Sequence, residues 1–145
     1  MHPRTKAKQA YTKSYKWIAL SKRLRKQNPL CYRCLLIDKI TPSAVVDHII
    51  PFDADPYGVL DKYAYDTDNL RCLCKSCHTV VTRFEYSIYD AMIELLNKTG
   101  SYEDVAVFKY SKGLAKEIGL DGYPIQHKAT ESVIKRVNDS ECPWI

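Results

Sequence analysis

Two short stretches, CYRC at residues 31–34 and DNLRCLCKSCH at residues 68–78, decide how this chain folds. Each stretch contains one pair of cysteines that are separated by two residues. The four cysteines are Cys31, Cys34, Cys74 and Cys77. Four thiolates suit tetrahedral Zn²⁺, and the short gap lets one turn aim both sulfurs at the same ion. We predict a structural zinc site, closed to chemistry because all four positions are filled; the alternative is four buried thiols without metal.

Length and composition limit the class of protein. The chain has 145 residues, which is typical of one domain with or without an appendage. No apolar run approaches the roughly 20 residues that cross a bilayer, and the basic N-terminus lacks the apolar segment of a secretory signal. We therefore expect a cytoplasmic protein. Its six cysteines would be reduced, which favours metal binding over disulfides.

Positive charge is concentrated near the N-terminus. Residues 1–36 contain ten lysines and arginines and no acidic residue, whereas the remainder carries twelve basic and seventeen acidic residues. This asymmetry predicts a basic arm that meets nucleic acid; the alternative is a solvated helix face that binds nothing. A helix predicted at residues 11–27 has Trp17, Leu20 and Leu24 on its apolar side. Its candidate DNA-binding side chains are Lys16, Lys22, Arg23 and Lys26.

The segment between and after the cysteine pairs predicts two strands and a helix. Residues 44–50 are rich in β-branched side chains and stop at Pro51, and residues 69–73 form a second short strand. The polar residues 52–68 between them indicate mainly an irregular loop. A helix capped by Ser76 would then extend to Asn97. We predict a small α+β protein whose parts are a flexible basic tail at 1–10, the main domain at 11–98 and a mostly helical extension at 99–145, with helices near 101–118 and 130–137.

Three stretches together resemble the HNH endonuclease family. They are CYRC (31–34), VVDHIIP (45–51) and DNLRCLCKSCH (68–78). The family pattern is C-x-x-C, D-H-I-x-P and N-L-x-x-L-C-x-x-C-H, and every element occurs here in order. The resemblance covers about the middle third of the chain. It implies a ββα-metal (His-Me finger) core beside a four-cysteine zinc site, in a divalent-metal-dependent enzyme that hydrolyses DNA phosphodiester bonds.

The resemblance also implies roles for individual residues. Asp47 would bind the divalent cation, and His78 would be its second ligand. His48 would be the general base that deprotonates water, and Asn69 would either orient the histidine loop or approach the metal. Some family members carry a third ligand one helical turn after the helix histidine, where this chain has Thr82. Two protein ligands favour an exchangeable Mg²⁺ or Mn²⁺ at this site.

The sequence pattern leaves two points open, the directions of Asp47 and His48 and the role of Arg83. Neighbouring residues on a strand point to opposite faces, so Asp47 and His48 face one metal only where the strand ends or twists. Pro51 favours a strand end nearby. Arg83 lies soon after the helix histidine, where it either contacts a phosphate or is simply exposed.

Residues 14–30 are similar to the basic W-x-x-L helix that precedes C-x-x-C in phage HNH proteins, which are often encoded near the terminase. This looser similarity implies a phage protein in the host cytoplasm, with DNA and phage terminase as partners. The activity expected is nicking or double-strand cutting with low sequence specificity, since no base-reading helix is evident. The alternative is a non-catalytic zinc-stabilised module, either binding DNA through its basic arm or acting as a packaging accessory.

Overall fold

A computed structural model describes residues 6–114 of the chain. The secondary structure is mixed, with seven α-helices, one 3₁₀ turn and two strands in these residues. In chain order they are α1 (Lys6–Thr12), α2 (Tyr15–Gln27), α3 (Tyr32–Leu35), β1 (Val45–His48), α4 (Lys62–Tyr65), the 3₁₀ turn (Thr67–Asn69), β2 (Leu70–Leu73), α5 (Lys75–Thr82), α6 (Tyr89–Thr99) and α7 (Tyr102–Tyr110). The predicted α+β class is confirmed.

The two strands form an antiparallel hairpin with a long connection. Val45 pairs with Leu73 at one end and His48 pairs with Leu70 at the other. Both strands are slightly shorter than predicted. Helix α5 follows β2 after a single residue, Cys74, so the chain order β1, β2, α5 gives the predicted ββα arrangement.

The helix predicted from Ser76 to Asn97 is wrong in two respects. Cys74, not Ser76, caps α5, because its sulfur accepts the backbone N–H of Cys77. The apolar stripe continues, with Val81, Ile88 and Met92 all buried, but the helix breaks between α5 and α6. The interhelical segment carries Glu85, which bonds to α7. The spacing of apolar residues along residues 76–97 contains no information about a partner as distant as Lys109.

The N-terminal segment also differs from the prediction. Residues 6–10, predicted as part of a flexible tail, belong to α1. Ser14 separates α1 from α2, because its hydroxyl accepts the backbone N–H of Trp17 and caps a new helix there. The predicted end of that helix at Asn28 is confirmed. Tyr11 packs against Trp17 and Phe52, which brings α1 onto the body of the protein.

The loop predicted at residues 52–68 contains short ordered pieces. Ala54 and Leu60 form an isolated bridge, and Asp61 caps the single turn of α4. None of the helices in residues 6–114 combines the length and apolar character that crossing a bilayer requires.

Helix α7 packs into the same core as the four cysteines. It begins after Ser101, where the sequence predicts a helix to start, and places Val105, Ala106, Phe108 and Tyr110 in the larger buried cluster. The predicted boundary at residue 98 therefore cuts through a shared core, although the division into three parts stays a prediction. The predicted helix at 130–137 and the end of the helix at 101–118 lie outside the described residues.

Candidate functional site

The four paired cysteines converge in the core. Their sulfur atoms all lie within 4.8 Å of one another. Cys34 Sγ lies 3.7 Å from Cys77 Sγ and 4.0 Å from Cys74 Sγ. Tetrahedral zinc, with Zn–S bonds of about 2.3 Å, requires sulfurs about 3.8 Å apart. The donor set and its spacing therefore fit a zinc ion.

Both cysteine pairs are built in the same way. The first cysteine of each pair caps a short helix, so Cys31 Sγ accepts the N–H of Cys34 and Cys74 Sγ accepts that of Cys77. The hydrogen bond from Cys77 lowers the pKa of Cys31 to about 4. The same hydrogen bond raises the pKa of Cys77, so the cluster stabilises one thiolate, the form that binds metal, at Cys31.

A buried arginine connects this cluster to α7. Arg33 is 1% exposed and donates Nη1 to Cys77 Sγ at 3.5 Å. Its Nε donates to the carbonyl of Tyr110 and its Nη2 to the carbonyl of Lys112, at 3.0 and 2.9 Å. One guanidinium therefore joins a sulfur ligand to the end of α7.

A cleft of about 520 Å³ lies along β1, with α1 and α2 on one side and α5 on the other. Acidic, basic and aromatic side chains line it together. Among them are Trp17, Arg25, Asp47, His48, His78 and Glu85. The cleft brings Asp47 and His48 of β1 together with His78 of α5, which lies 30 residues further along the chain.

Asp47 uses its two carboxylate oxygens differently. Oδ2 accepts hydrogen bonds from Lys109 Nζ at 3.0 Å and from the Tyr110 hydroxyl at 2.7 Å. Oδ1 lies 3.6 Å from His78 Nε2. An ion about 2.1 Å from each of two ligand atoms needs them roughly 3 to 4 Å apart. The Asp47–His78 pair meets this requirement and leaves other coordination positions open.

Lys109 is a completely buried charge beside this pair. Its Nζ donates to Asp47 Oδ2, to Glu85 Oε2 and to the carbonyls of His48 and Ile49, at 2.8 to 3.0 Å. Burial raises the pKa of the Glu85 carboxyl. Burial also keeps the pKa of Tyr110 well above its ordinary value, so its hydroxyl retains the proton that it donates to Asp47.

His48 lies on the other side of β1 from these contacts. Its ring stacks on Trp17 with centroids 4.9 Å apart, and Phe52 packs beside it. Its Nε2 lies 3.3 Å from the carbonyl of Ala64, which leaves Nδ1 as the proton acceptor when Nε2 carries the hydrogen. Burial lowers the pKa of His48 to about 4, so the ring is neutral at neutral pH. Asp47 and His48 thus point away from each other, as strand geometry requires, yet both line the cleft.

Asn69 is fully buried and holds the segment that follows β1. Its Oδ1 accepts the backbone N–H of Ile50 at 2.8 Å, and its Nδ2 donates to the carbonyls of Ile50 and Tyr63 at 2.9 Å each. Both polar atoms are therefore used by backbone groups. Of the two roles implied by the resemblance, these contacts favour the orientation of the histidine loop over contact with the metal.

Replacement of Asn69 by alanine tests this anchoring. Two buried backbone groups of Ile50 and the partly buried carbonyl of Tyr63 would lose their partner, and each buried unsatisfied group costs about 1–3 kcal/mol. We expect Asn69→Ala to lower the free energy of unfolding by about 3 kcal/mol, measured by urea denaturation. The exposed Asn97 on α6 offers a matched control, and Asn97→Ala should change stability by less than about 0.5 kcal/mol. Equal stability of the two variants would contradict the anchoring role.

The segment that carries the cysteines and the cleft residues matches a known family. A family model described as HNH endonuclease matches residues 31–84. The chain is also similar to the manganese-containing crystal structure of the HNH endonuclease of the deep-sea thermophilic bacteriophage GVE2. The two are 35% identical over 56% of this chain and 84% of that one, with a TM-score of 0.45. This chain belongs to the HNH endonuclease family. No curated protein matches it.

This HNH family member places its predicted DNA-binding residues unevenly. With 100° per residue, the cleft-lining Trp17, Ser21 and Arg25 define one face of α2. Lys22 is exposed and lies next to this face, whereas the exposed Lys16, Arg23 and Lys26 lie towards the opposite side of the helix. Arg83 is exposed at the end of α5 and does not line the cleft.

Several residues that line the cleft of this HNH protein, or contact Asp47 from behind it, are not identified by the sequence pattern. Lys8 is 4% exposed and its Nζ lies 3.3 Å from the Tyr86 hydroxyl inside the cleft, although the sequence predicts a tail at residue 8. Glu85, Lys109 and Tyr110 lie beyond the segment matched by the family model. Only Lys109, the single charged residue in the otherwise uncharged stretch VAVFKY at 105–110, is a signal.

The described part of this HNH protein offers no third metal ligand at close spacing. Across residues 6–114, the cysteine cluster is the one group of three or more histidine, cysteine or acidic side chains with its ligand atoms within 4.8 Å of one another. Thr82 lines the cleft one turn after His78 but is a weak ligand. Within these residues, Asp47 and His78 are therefore a two-residue candidate site for a metal ion.

Proposed function

We propose that this HNH family member is a divalent-metal-dependent endonuclease that hydrolyses phosphodiester bonds of DNA. The observation that carries the proposal is the approach of Asp47 Oδ1 and His78 Nε2 to 3.6 Å, in a cleft that the neutral His48 also lines. A carboxylate, an imidazole ligand and a separate neutral imidazole are what metal-assisted hydrolysis of a phosphodiester requires.

The residues in and around the cleft have different roles in the proposed hydrolysis. Asp47 and His78 would hold a divalent cation, which would supply charge neutralisation at the scissile phosphate and at the departing 3′-oxygen. His48 accepts the proton of the attacking water at Nδ1, while the Ala64 carbonyl holds Nε2–H. The stacked Trp17 keeps the ring in one orientation, so that its acceptor nitrogen is already aligned. Asn69 holds the backbone after His48 in place.

The two metal sites would hold different ions. Four buried thiolates favour zinc, which would stabilise the fold without entering the chemistry. One carboxylate oxygen and one imidazole, with open positions around them, favour exchangeable Mg²⁺ or Mn²⁺ in the cleft. The cofactors proposed are therefore structural Zn²⁺ and catalytic Mg²⁺ or Mn²⁺.

Supercoiled plasmid incubated with Mg²⁺ or Mn²⁺ tests the activity. Nicked or linear products should appear with the wild-type protein and be absent with Asp47→Ala. Sealing of the nicks by DNA ligase would identify 5′-phosphate and 3′-hydroxyl ends, as expected for attack by water. If the protein binds the plasmid but leaves it intact with either metal, the chain is instead a non-catalytic zinc-stabilised DNA-binding module. A link to phage terminase stays a prediction.

The basic face of α2 beside the cleft is proposed to contact DNA phosphates. Lys22 and Arg25 lie at or next to the cleft-lining face, while Lys16 and Arg23 lie opposite. The double variant Lys22→Gln, Arg25→Gln should weaken DNA binding and reduce the slope of log affinity against log salt by about 1.8, since each phosphate contact contributes about 0.9. Fluorescence polarisation over a salt series measures both quantities.

A second pair of charges provides the matched control for this prediction. The double variant Lys16→Gln, Arg23→Gln removes the same net charge from the far side of the same helix. Its salt slope should stay closer to that of the wild type. Equal losses in the two double variants would mean that α2 acts only through its total charge, and that the assignment of one face to DNA is wrong.

A further inference from the structure

Helix α7 packs behind the cleft and supplies two hydrogen-bond donors to one oxygen of the Asp47 carboxylate. Oδ2 of Asp47 accepts two hydrogen bonds, from Lys109 Nζ and from the Tyr110 hydroxyl. Asp47 itself is only 5% exposed. Two donors from neighbouring residues of α7 prevent rotation of the carboxylate about its last bond. They leave Oδ1 as the oxygen that faces His78 Nε2.

Lys109 is held in place more tightly than an ordinary ion-pair partner. Its Nζ has four acceptors at 2.8 to 3.0 Å, and two of them are the backbone carbonyls of His48 and Ile49. These carbonyls immediately follow Asp47 in the chain. The ammonium therefore fixes both the carboxylate and the backbone at the end of β1, and Glu85 supplies a second negative charge to it.

An ion pair that only stabilised the fold would not require the two carboxylate oxygens of Asp47 to have different partners. If Asp47 served only to neutralise the buried Lys109, both of its oxygens could accept hydrogen bonds from α7. The observed orientation keeps one oxygen on α7 and the other on His78. We propose, on the basis of the metal site assigned under the proposed function, that Lys109 and Tyr110 are positioning residues that hold Asp47 as a single-oxygen metal ligand.

This proposal makes the metal site depend on residues outside the segment that matches the family model. Residues 31–84 contain Asp47 and His78, but the groups that orient Asp47 come from α7. Hydrogen-bond partners of metal ligands commonly change metal affinity or activity by about 10–100-fold when they are removed.

Binding of Mn²⁺ by the intact, zinc-loaded protein tests the proposal without reference to cleavage. The electron paramagnetic resonance signal of free Mn²⁺ gives the dissociation constant. Tyr110→Phe removes one hydroxyl and keeps the ring, so the core should stay folded, and we expect Mn²⁺ binding about tenfold weaker than in the wild type. Lys109→Met should weaken it further, but it also leaves two carboxylates unpaired and destabilises the core, so Tyr110→Phe is the deciding variant.

Tyr32→Phe is the matched control. Its hydroxyl also donates to a carboxylate, Glu103 Oε1 at 2.6 Å, but that contact is exposed and outside the cleft. Tyr32→Phe should bind Mn²⁺ like the wild type, and thermal melting with zinc analysis should find both tyrosine variants folded and zinc-loaded.

The outcomes separate this proposal from the one on which it rests. If Asp47→Ala loses Mn²⁺ binding but Tyr110→Phe binds as tightly as the wild type, the positioning role is wrong and the metal site remains. If the wild type binds no Mn²⁺, or binds it equally well after Asp47→Ala, the metal site itself is wrong and the positioning role falls with it. Weaker binding in Tyr110→Phe, with no change in Tyr32→Phe, supports the proposal.

Discussion

We expect His48→Ala to lower the rate of DNA cleavage by about 10²–10⁴-fold, the usual contribution of a general base, while DNA binding stays unchanged. The His48 side chain is uncharged at neutral pH, because burial lowers its pKa to about 4, and it therefore adds no electrostatic attraction for DNA. The His48 ring packs between Trp17 and Phe52, and its Nε2 lies by the Ala64 carbonyl. These contacts hold the ring in one orientation. Single-turnover cleavage of a labelled duplex and fluorescence polarisation on the same duplex measure the two effects separately.

Chemical rescue distinguishes a missing base from a disturbed fold. Alanine at position 48 leaves a space beside Trp17, and free imidazole in the buffer should restore part of the lost rate. A folding defect would not respond to imidazole. If His48→Ala cuts at the wild-type rate, or if rate and DNA affinity fall in parallel, His48 is not the base and the mechanism proposed for this cleft is wrong.

The second large effect is expected when the cysteine cluster loses a ligand. Structural zinc contributes about 10–16 kcal/mol in small zinc domains, whereas a typical domain has a net stability of only about 5–15 kcal/mol. The cluster lies inside the larger core and is bonded through Arg33 to α7. We therefore expect Cys74→Ser, or removal of zinc by a strong chelator, to abolish cooperative folding. Circular dichroism and a zinc assay report the loss together.

Cys72 offers a control with the same side chain. It is 5% exposed and lies close in sequence, but it packs with Trp17, Val46 and Leu70 in a separate small cluster. Cys72→Ser should keep its zinc and a cooperative melt at a somewhat lower temperature, because it places one hydroxyl in an apolar site. A Cys74→Ser protein that melts like Cys72→Ser would show that the four thiols need no metal.

The parts predicted well from the sequence are those whose chemistry is local. The two-residue spacing of each cysteine pair creates the same cap and sulfur geometry at Cys31 and at Cys74. The strand ending near Pro51 places Asp47 and His48 at the last two positions of β1. Helix α5 follows β2 directly, so His78 has little freedom of position once the cysteines converge.

The parts predicted poorly depend on partners far along the chain. Residues 6–10 are helical where the sequence predicts a tail, and Lys8 points into the cleft beside Tyr86. The helix predicted through Asn97 breaks near Glu85, whose carboxylate bonds to Lys109. Lys109 interrupts an apolar stretch of the sequence, but that stretch holds no record of the carboxylates, Asp47 and Glu85, that surround it in the structure.

The amino-acid sequence by itself predicted which chemical groups lie together: four thiols in one cluster, and a carboxylate and two imidazoles along one cleft. Their residue types and short spacings are sufficient for this, since turns and helix caps are local structures. Only the tertiary structure decided how Asp47 is oriented, because its donors, Lys109 and Tyr110, are 62 and 63 residues away. Which oxygen remains for a metal depends on how α7 packs against β1, and packing across such distances is set by the whole core.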